Sequence, residues 1–369
     1  MVRLATALIL TLILSTANAA EMFQFGETPR SYGMGGVRVG GSPHDASAFL
    51  WNPANLTYQK GMNWDFFSIG IGSNAYDKYE RFQGFEFHGL ESLDELYGEF
   101  VQTDFQGVSA FTLPFFGVAV YDQGYLSAIA HNPAFPVLDM TFLHDYALAV
   151  GASIPLGPEG SFGVNFKRIT RRGGPLQLGA SVLDNLDNNT ILDQFENEGI
   201  GYGIDAGLMM RADGPFHPTV SLAWQDIGST SFVKTKGTAP PERIKDNLTL
   251  GLAFEQEIPL AGIAGGIEYR HITDTDEQLG KKIHMGLEVS LANIDLRAGF
   301  YQGYPTYGAA IDLWLLEVNA AMYTVERGAY PGQTPDKRVQ IGIGMNFSFD
   351  PDFKITDESG RKRRFKQRR

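Results

Sequence analysis

The sequence predicts an all-β fold, a transmembrane antiparallel β-barrel of about 14 strands with short helices in its outer loops. Three observations predict it. Apolar and polar residues alternate with period two from residue 62 to residue 349, as they do in strands that turn one face to each environment. The breaks between these runs alternate between short and long, the asymmetry of outer-membrane barrels. After an export signal, no apolar stretch approaches the roughly 20 residues that a spanning helix needs.

The export signal comes first. Arg3 gives a positive start, Leu4 to Leu14 an apolar run, and Ala17-Asn18-Ala19 a small-residue cleavage site. Residues 1–19 are therefore expected to be a signal peptide, with the mature chain starting at Ala20. No Pro/Ser-rich linker divides the mature chain, and one large domain is expected.

The clearest strands are Leu248, Leu250, Leu252 and Phe254, then Ile283, Met285, Leu287, Val289 and Leu291, then Val339, Ile341, Ile343, Met345, Phe347 and Phe349. Short breaks near 156–159, 213–216, 258–260, 292–293 and 314–315 are rich in Gly, Pro, Asn or Asp. Long ones fall at 172–199, 228–244, 274–280 and 326–336, with a tight exception near 303–304. The strands in this phase are 62–72, 107–121, 125–131, 140–155, 160–171, 200–212, 217–227, 245–257, 261–273, 281–291, 294–302, 305–313, 315–325 and 337–349. Their even number puts both ends on the short-turn, periplasmic side. Closure follows from the hydrocarbon, which cannot satisfy the N–H and C=O groups of an open edge.

The outward set should face lipid, with Tyr202, Trp224, Tyr269, Phe300, Tyr323, Phe347 and Phe349 placed for interfacial girdles. The alternate set carries Lys167, Asp205, Glu255, Glu268, Arg270, Glu288, Arg297, Asp312 and Glu317. Both signs occur, so these lumen-facing charges are expected to pair rather than to form a ring of one sign. Leu90, Leu93, Leu96, Tyr97 and Phe100, and then Val182, Leu183, Leu186, Ile191, Leu192 and Phe195, recur at helical spacing. Both sets lie in outer loops. Leu93, Leu96, Phe100, Leu183, Leu186, Leu192 and Phe195 mark either a hydrophobic ligand groove or packing on the rim.

Residues 350–369 form a basic tail of eight Lys/Arg against four Asp/Glu, expected in the periplasm. The formal charge is −12, and an acidic body lacks the basic face that nucleic-acid binding requires. There is no cysteine, and the seven histidines are scattered without a metal-binding spacing. No catalytic set, metal site or cofactor is expected, and the chain is read as a non-enzyme.

Before the first strand stand Gly33-Met34-Gly35-Gly36 and Asn52-Pro53-Ala54, within longer runs at 30–39 and 45–56. Farther on comes Leu296-Arg297-Ala298-Gly299-Phe300-Tyr301-Gln302-Gly303-Tyr304. These resemble the signatures of FadL-like outer-membrane proteins, especially the branch of PorV and the conjugal-transfer TraF-like proteins. The resemblance implies that residues 20–61 form a small hatch plugging a barrel of residues 62–349, with Gly33, Gly35, Gly36, Asn52, Pro53 and Ala54 as its motif. Local chemistry agrees, since Pro53 fixes its own φ and Asn52 can bond nearby backbone.

Two roles stand as expectations. A FadL-like barrel would pass hydrophobic, fatty-acid-like small molecules passively through its plugged lumen. A PorV- or TraF-like barrel would instead serve a secretion or envelope assembly. The partners implied are outer-membrane lipid, a hydrophobic small-molecule ligand and a periplasmic or secretion-system partner.

Overall fold

The computed structural model describes residues 26–38, 45–77, 93–94, 96–183, 195–258, 261–313 and 315–349. The export signal at 1–19, the basic tail at 350–369, and Leu186 and Leu192 lie outside the described residues.

Fourteen strands close into an antiparallel barrel. They are β1 (Met62–Ser73), β2 (Val101–Leu113), β3 (Phe116–His131), β4 (Val137–Leu156), β5 (Gly160–Gly179), β6 (Glu198–Arg211), β7 (Thr219–Gln225), β9 (Asn247–Ile258), β10 (Ala261–Tyr269), β11 (Ile283–Leu291), β12 (Ile294–Tyr301), β13 (Tyr304–Leu313), β14 (Leu316–Glu326) and β15 (Pro335–Phe349). Each pairs with its neighbour, β15 returns to β1, and the β5–β6 pairing completes the ring. An extra strand, β8 (Phe232–Lys236), pairs with the upper end of β6. It continues β7 after a break, since Ala206 faces Trp224 but Gly201 faces Phe232.

The outward face is apolar where a soluble protein would be polar. Ile71 is 61% exposed, Leu252 54% and Ile341 58%. The alternate positions are buried and largely polar, among them Gln106, Asn165, Glu268, Glu288 and Arg297. This inversion suits hydrocarbon outside and a polar interior.

Three expectations need correcting. Tyr323, expected in the lipid-facing girdle, is 2% exposed and points inward, because it shares strand parity with the inward Glu317 and Asn319. The turn expected at 122–124 is absent: β3 runs straight through it, and the turn lies at Pro114-Phe115 instead. Phe115 takes φ 71 behind a proline, the order of a type II turn, but four apolar residues in a row hid it. The break expected after residue 171 lies farther on as well. Gly173, Gly174 and Pro175 stay in the β4–β5 ladder opposite Leu143, Phe142 and Thr141, and both strands are 20 residues long.

Three short α-helices and three 3-10 turns, Ala46–Leu50, Pro53–Tyr58 and Ala75–Asp77, complete the described elements. α1 (Pro29–Gly33) precedes the barrel, and α2 (Ala180–Leu183) and α3 (Leu279–Lys282) lie in loops.

Candidate functional site

Residues 26–38 and 45–60 lie against the inner wall as two lobes, and their local fold is set by caps. In the first lobe, Pro29 opens α1 and Thr28 caps it, accepting from Ser31 N while the Ser31 hydroxyl accepts from Thr28 N. In the second, two 3-10 turns cover Ala46–Leu50 and Pro53–Tyr58. Asp45 caps the first turn, and Asn52 caps the second by accepting from Ala54 N at 3.0 Å.

Both lobes rest on glycine. A Cβ on Gly286 would stand 2.0 Å from Met34 O, one on Gly299 2.5 Å from Gly35 N, and one on Gly308 2.9 Å from Gly33 Cα. The second lobe repeats the arrangement, with Gly163 against Pro53 and Gly207 against Asn52. Gly286 and Gly299 are cross-strand partners, as are Gly163 and Gly207. The wall is thus paved flat where the segment's backbone touches it. Gly35 and Gly36 answer from the other side at φ 66 and 91, conformations that favour glycine.

Polar contacts hold the backbone on this pavement. His284 Nδ1 meets Gly35 O at 2.9 Å, and Thr306 Oγ1 donates to Gly33 O at 3.1 Å. Asn165 Nδ2 donates to Phe49 O at 2.7 Å, and Asn52 Nδ2 donates to Leu208 O at 3.3 Å. The Tyr32 ring stacks on Tyr323 of β14, centroids 3.8 Å apart.

The charges fall into chains. On the wall, Arg270 pairs with Glu268 at 2.8 Å and Arg297 with Glu288 at 2.5 Å. The segment adds to each: Glu27 reaches Arg270 at 2.8 Å and Arg38 at 3.3 Å, while Arg30 reaches Glu288 at 2.8 Å. Burial alone would raise the Glu27 carboxyl, but Arg38, Arg270 and the Ser31 hydroxyl outweigh it and hold it below its ordinary value. Across the lumen, Lys167 bridges Asp205 at 2.8 Å and Asp226 at 2.9 Å, and Arg171 grips Asp145 at 2.6 Å. Glu255 pairs with Arg211 near the short-turn end, Glu317 lies 3.8 Å from Arg297, and Asp312 faces Glu317 across the β13–β14 ladder.

A polar cavity of about 30 Å³, lined by Glu27, Tyr32, Asp104, Gln106, Gln123 and Gln340, lies beside the first lobe. It has room for a water or two. Phe232, from the β7–β9 connection, packs beside the second lobe in one buried cluster with Phe49, Leu56, Tyr121, Ile169 and Ala147. Gly199, Gly201 and Gly203 make room for that connection on β6. Sequence reasoning passed over Asp226, Phe232 and Asp145 as lumenal groups. The alternation stops at Gln225, where the connection turns inward with Asp226 at φ 51.

The loop residues with helical spacing are divided by the structure. Leu93, Leu96, Leu183 and Phe195 join Leu138, Met140 and Leu178 in one buried cluster. Leu138 and Met140 share strand parity with the exposed Tyr146, Leu148 and Val150. The cluster therefore covers the outer side of the upper β2–β5 strands. Phe100 lies apart, under the Arg327 guanidinium at 3.8 Å.

No protein-family model matches the chain, and no curated protein matches it. Solved structures do. The TodX monoaromatic hydrocarbon channel in its deltaS2 mutant form superposes with a TM-score of 0.52 at 12% identity, over 88% of this chain and 99% of that one. The deltaS2S3 mutant of TodX gives 0.51 at 13% identity, with the same coverage. At such identities the likeness shows a shared fold.

Proposed function

We propose that this chain is an outer-membrane channel through which hydrophobic small molecules enter passively, with residues 20–61 as the hatch that closes it. One observation carries the reading. The wall pairs Arg270–Glu268 and Arg297–Glu288 are complete without the hatch, and Glu27 and Arg38 pair within it. Undocking would break the Glu27–Arg270 and Arg30–Glu288 contacts but would leave every charge of the two wall pairs with a partner, so it would not strand a buried charge there, the heaviest part of the cost of breaking a buried ion pair. Water can replace the remaining hydrogen bonds at small net cost.

Two further points support it. The solved structures that share the fold along almost their whole length include a channel named for monoaromatic hydrocarbons. A barrel with an apolar exterior, behind an expected export signal, belongs in the outer membrane. A second reading, an interaction barrel serving an envelope assembly, is favoured by the filled lumen alone.

Locking the hatch separates the two. The chain has no cysteine, so Tyr32→Cys with Tyr323→Cys makes a unique pair that a short bis-methanethiosulfonate can bridge through two reducible disulfides, releasing methanesulfinate from each end. Proteoliposomes of the unbridged protein should admit labelled toluene or oleate above empty vesicles. Bridging should abolish the excess, and reductive cleavage should restore it. Uptake that ignores the bridge removes the hatch from the mechanism, and uptake no better than empty vesicles leaves the interaction barrel.

A further inference from the structure

The outward face of the barrel has a polar interruption. On β11, Ile283, Met285, Leu287, Val289 and Leu291 face out with no charge among them, and on β15 Val339, Ile341, Ile343, Met345 and Phe347 do, with a single charge, Lys337, at the long-loop end of the row. On four adjacent strands the row changes toward the long-loop side. There Asp122 of β3, His144 of β4, Arg168 and Arg172 of β5, and Glu198 of β6 stand on outward positions.

Arg168 is the deepest cation of this patch. It follows Val164 and Phe166 on the outward face of β5, both exposed apolar residues. Its cross-strand neighbours are Leu148 and Tyr202, also exposed and without charge. Arg168 is itself exposed and makes no ion pair or hydrogen bond with any described residue. Arg172 lies one turn of the pleat above Thr170, exposed, with its Nε donating to Phe195 O at 3.3 Å. The nearby carboxylates are engaged: Asp122 Oδ1 meets His144 Nε2 at 2.7 Å, and Glu198 takes Lys236 Nζ at 3.3 Å as well as facing Arg172.

An arginine on the lipid face is costly at the membrane's midplane and much less so near its surface. Arg168 borders the apolar band and has a long stem, so its guanidinium can reach the headgroup layer. The protein offers it no counter-charge. A guanidinium matches a phosphate through two parallel hydrogen bonds, and an aromatic ring such as Tyr202 settles at the same depth.

We propose that Arg168 and Arg172, flanked by Tyr202 and Tyr146, clamp the phosphate headgroup of an anionic lipid in the leaflet on the long-loop side. The occupant is a lipid rather than a free ion because the apolar residues below Arg168, Phe166 and Val164, lie where its acyl chains would run. The clamp depends on the barrel spanning a membrane and is independent of what passes through the lumen.

Native mass spectrometry of the detergent-extracted full chain tests it, with diphosphorylated lipid A as the probe and phosphatidylcholine as the comparison. Lipid A should remain bound to the wild type in preference to phosphatidylcholine. Arg168→Gln with Arg172→Gln should weaken it about thirtyfold, roughly fivefold for each basic side chain at a charged lipid surface. Lys337→Gln, which removes an exposed cation on β15, should leave it unchanged, and Arg168→Lys with Arg172→Lys should recover part of the loss. Equal retention by wild type and the double Gln variant overturns the clamp, as does a wild type that retains neither lipid. Inorganic phosphate competing as well as lipid A would overturn the lipid as occupant. A dimer that the double Gln variant dissolves would make the patch a contact between copies instead. Toluene uptake unchanged in the double Gln variant would leave the channel reading standing whatever the lipid result.

Discussion

At the scale of single residues, the absent side chains decide as much as the charged ones. Gly286 and Gly299 leave the wall flat where Met34 and Gly35 lie, and a methyl on Gly286 would overlap the Met34 carbonyl at 2.0 Å. Backbone on both sides cannot yield as a side chain tip would. Gly286→Ala should therefore destabilise docking of the first lobe by about 1–3 kcal/mol, the usual range for overpacking. Gly262→Ala is the matched control, because its Cβ would find only Ser290 at 3.5 Å. Amide exchange of residues 26–38 in detergent should rise in the first variant and stay put in the second. If both variants exchange like the wild type, the glycine pavement does not hold the segment. Parity was legible in the sequence at this scale, since Glu288 and Arg297 stand in alternating runs. Their partner in the N-terminal segment was not, because Arg30 lies 258 residues before Glu288 and no local pattern encodes so distant a pair.

Elements were legible in proportion to how plainly their ends are marked. The hairpin between β12 and β13 turns at Gln302 and Gly303, both at positive φ, and its Gln-Gly spelling suits that primed turn. Pro114-Phe115 turns without any such spelling, whereas Asp122-Gln123-Gly124 has the spelling and does not turn. Gly124 is there to let the Phe105 ring lie flat, its Cβ position being 2.1 Å from that ring. The inward course of the β7–β9 connection was illegible because Asp226 is stabilised by Lys167 from another strand. The first lobe carries a prediction as an element, resting on Glu27. Its carboxyl is held below the ordinary value in the folded state, where Arg38 and Arg270 outweigh burial. A depressed carboxylate contributes stability that is complete above its unfolded pKa and is lost as pH falls through the folded one. Docking of residues 26–38 should thus be constant from pH 7 to about 5 and loosen below the ordinary glutamate range of roughly 4. Exchange of that segment, corrected for intrinsic rates, should show a low-pH rise, and Glu27→Gln should replace it with raised exchange that no longer depends on pH in this range. A segment equally protected at pH 7 and pH 3 would mean that the Glu27 charge does not hold it.

For the whole molecule, the number of strands was legible although two of their boundaries were not, because closure constrains the count more than any single turn does. A chain that begins and ends on one side of a membrane must cross it an even number of times, and moving one turn from 122–124 to 114–115 leaves that number unchanged. What parity cannot tell is whether the ring is open. The first lobe, residues 26–38, touches β10 to β15, and the second, residues 45–60, touches β1 to β6, so a segment placed this way is expected to obstruct the lumen. Reconstituted in a planar bilayer, the wild type should show no stepwise ionic conductance. A variant lacking residues 26–60 loses Phe49 and Leu56 from the inner cluster but none of the strand pairings that close the ring. It should still migrate as a compact, heat-modifiable barrel on a detergent gel, and it should conduct in discrete steps, because the wall charges that remain draw water into the emptied lumen. Steps of equal size from both proteins would mean that the segment leaves an aqueous path open. A deletion variant that keeps its compact migration and never conducts would mean that Phe232 and the β7–β9 connection close the lumen by themselves.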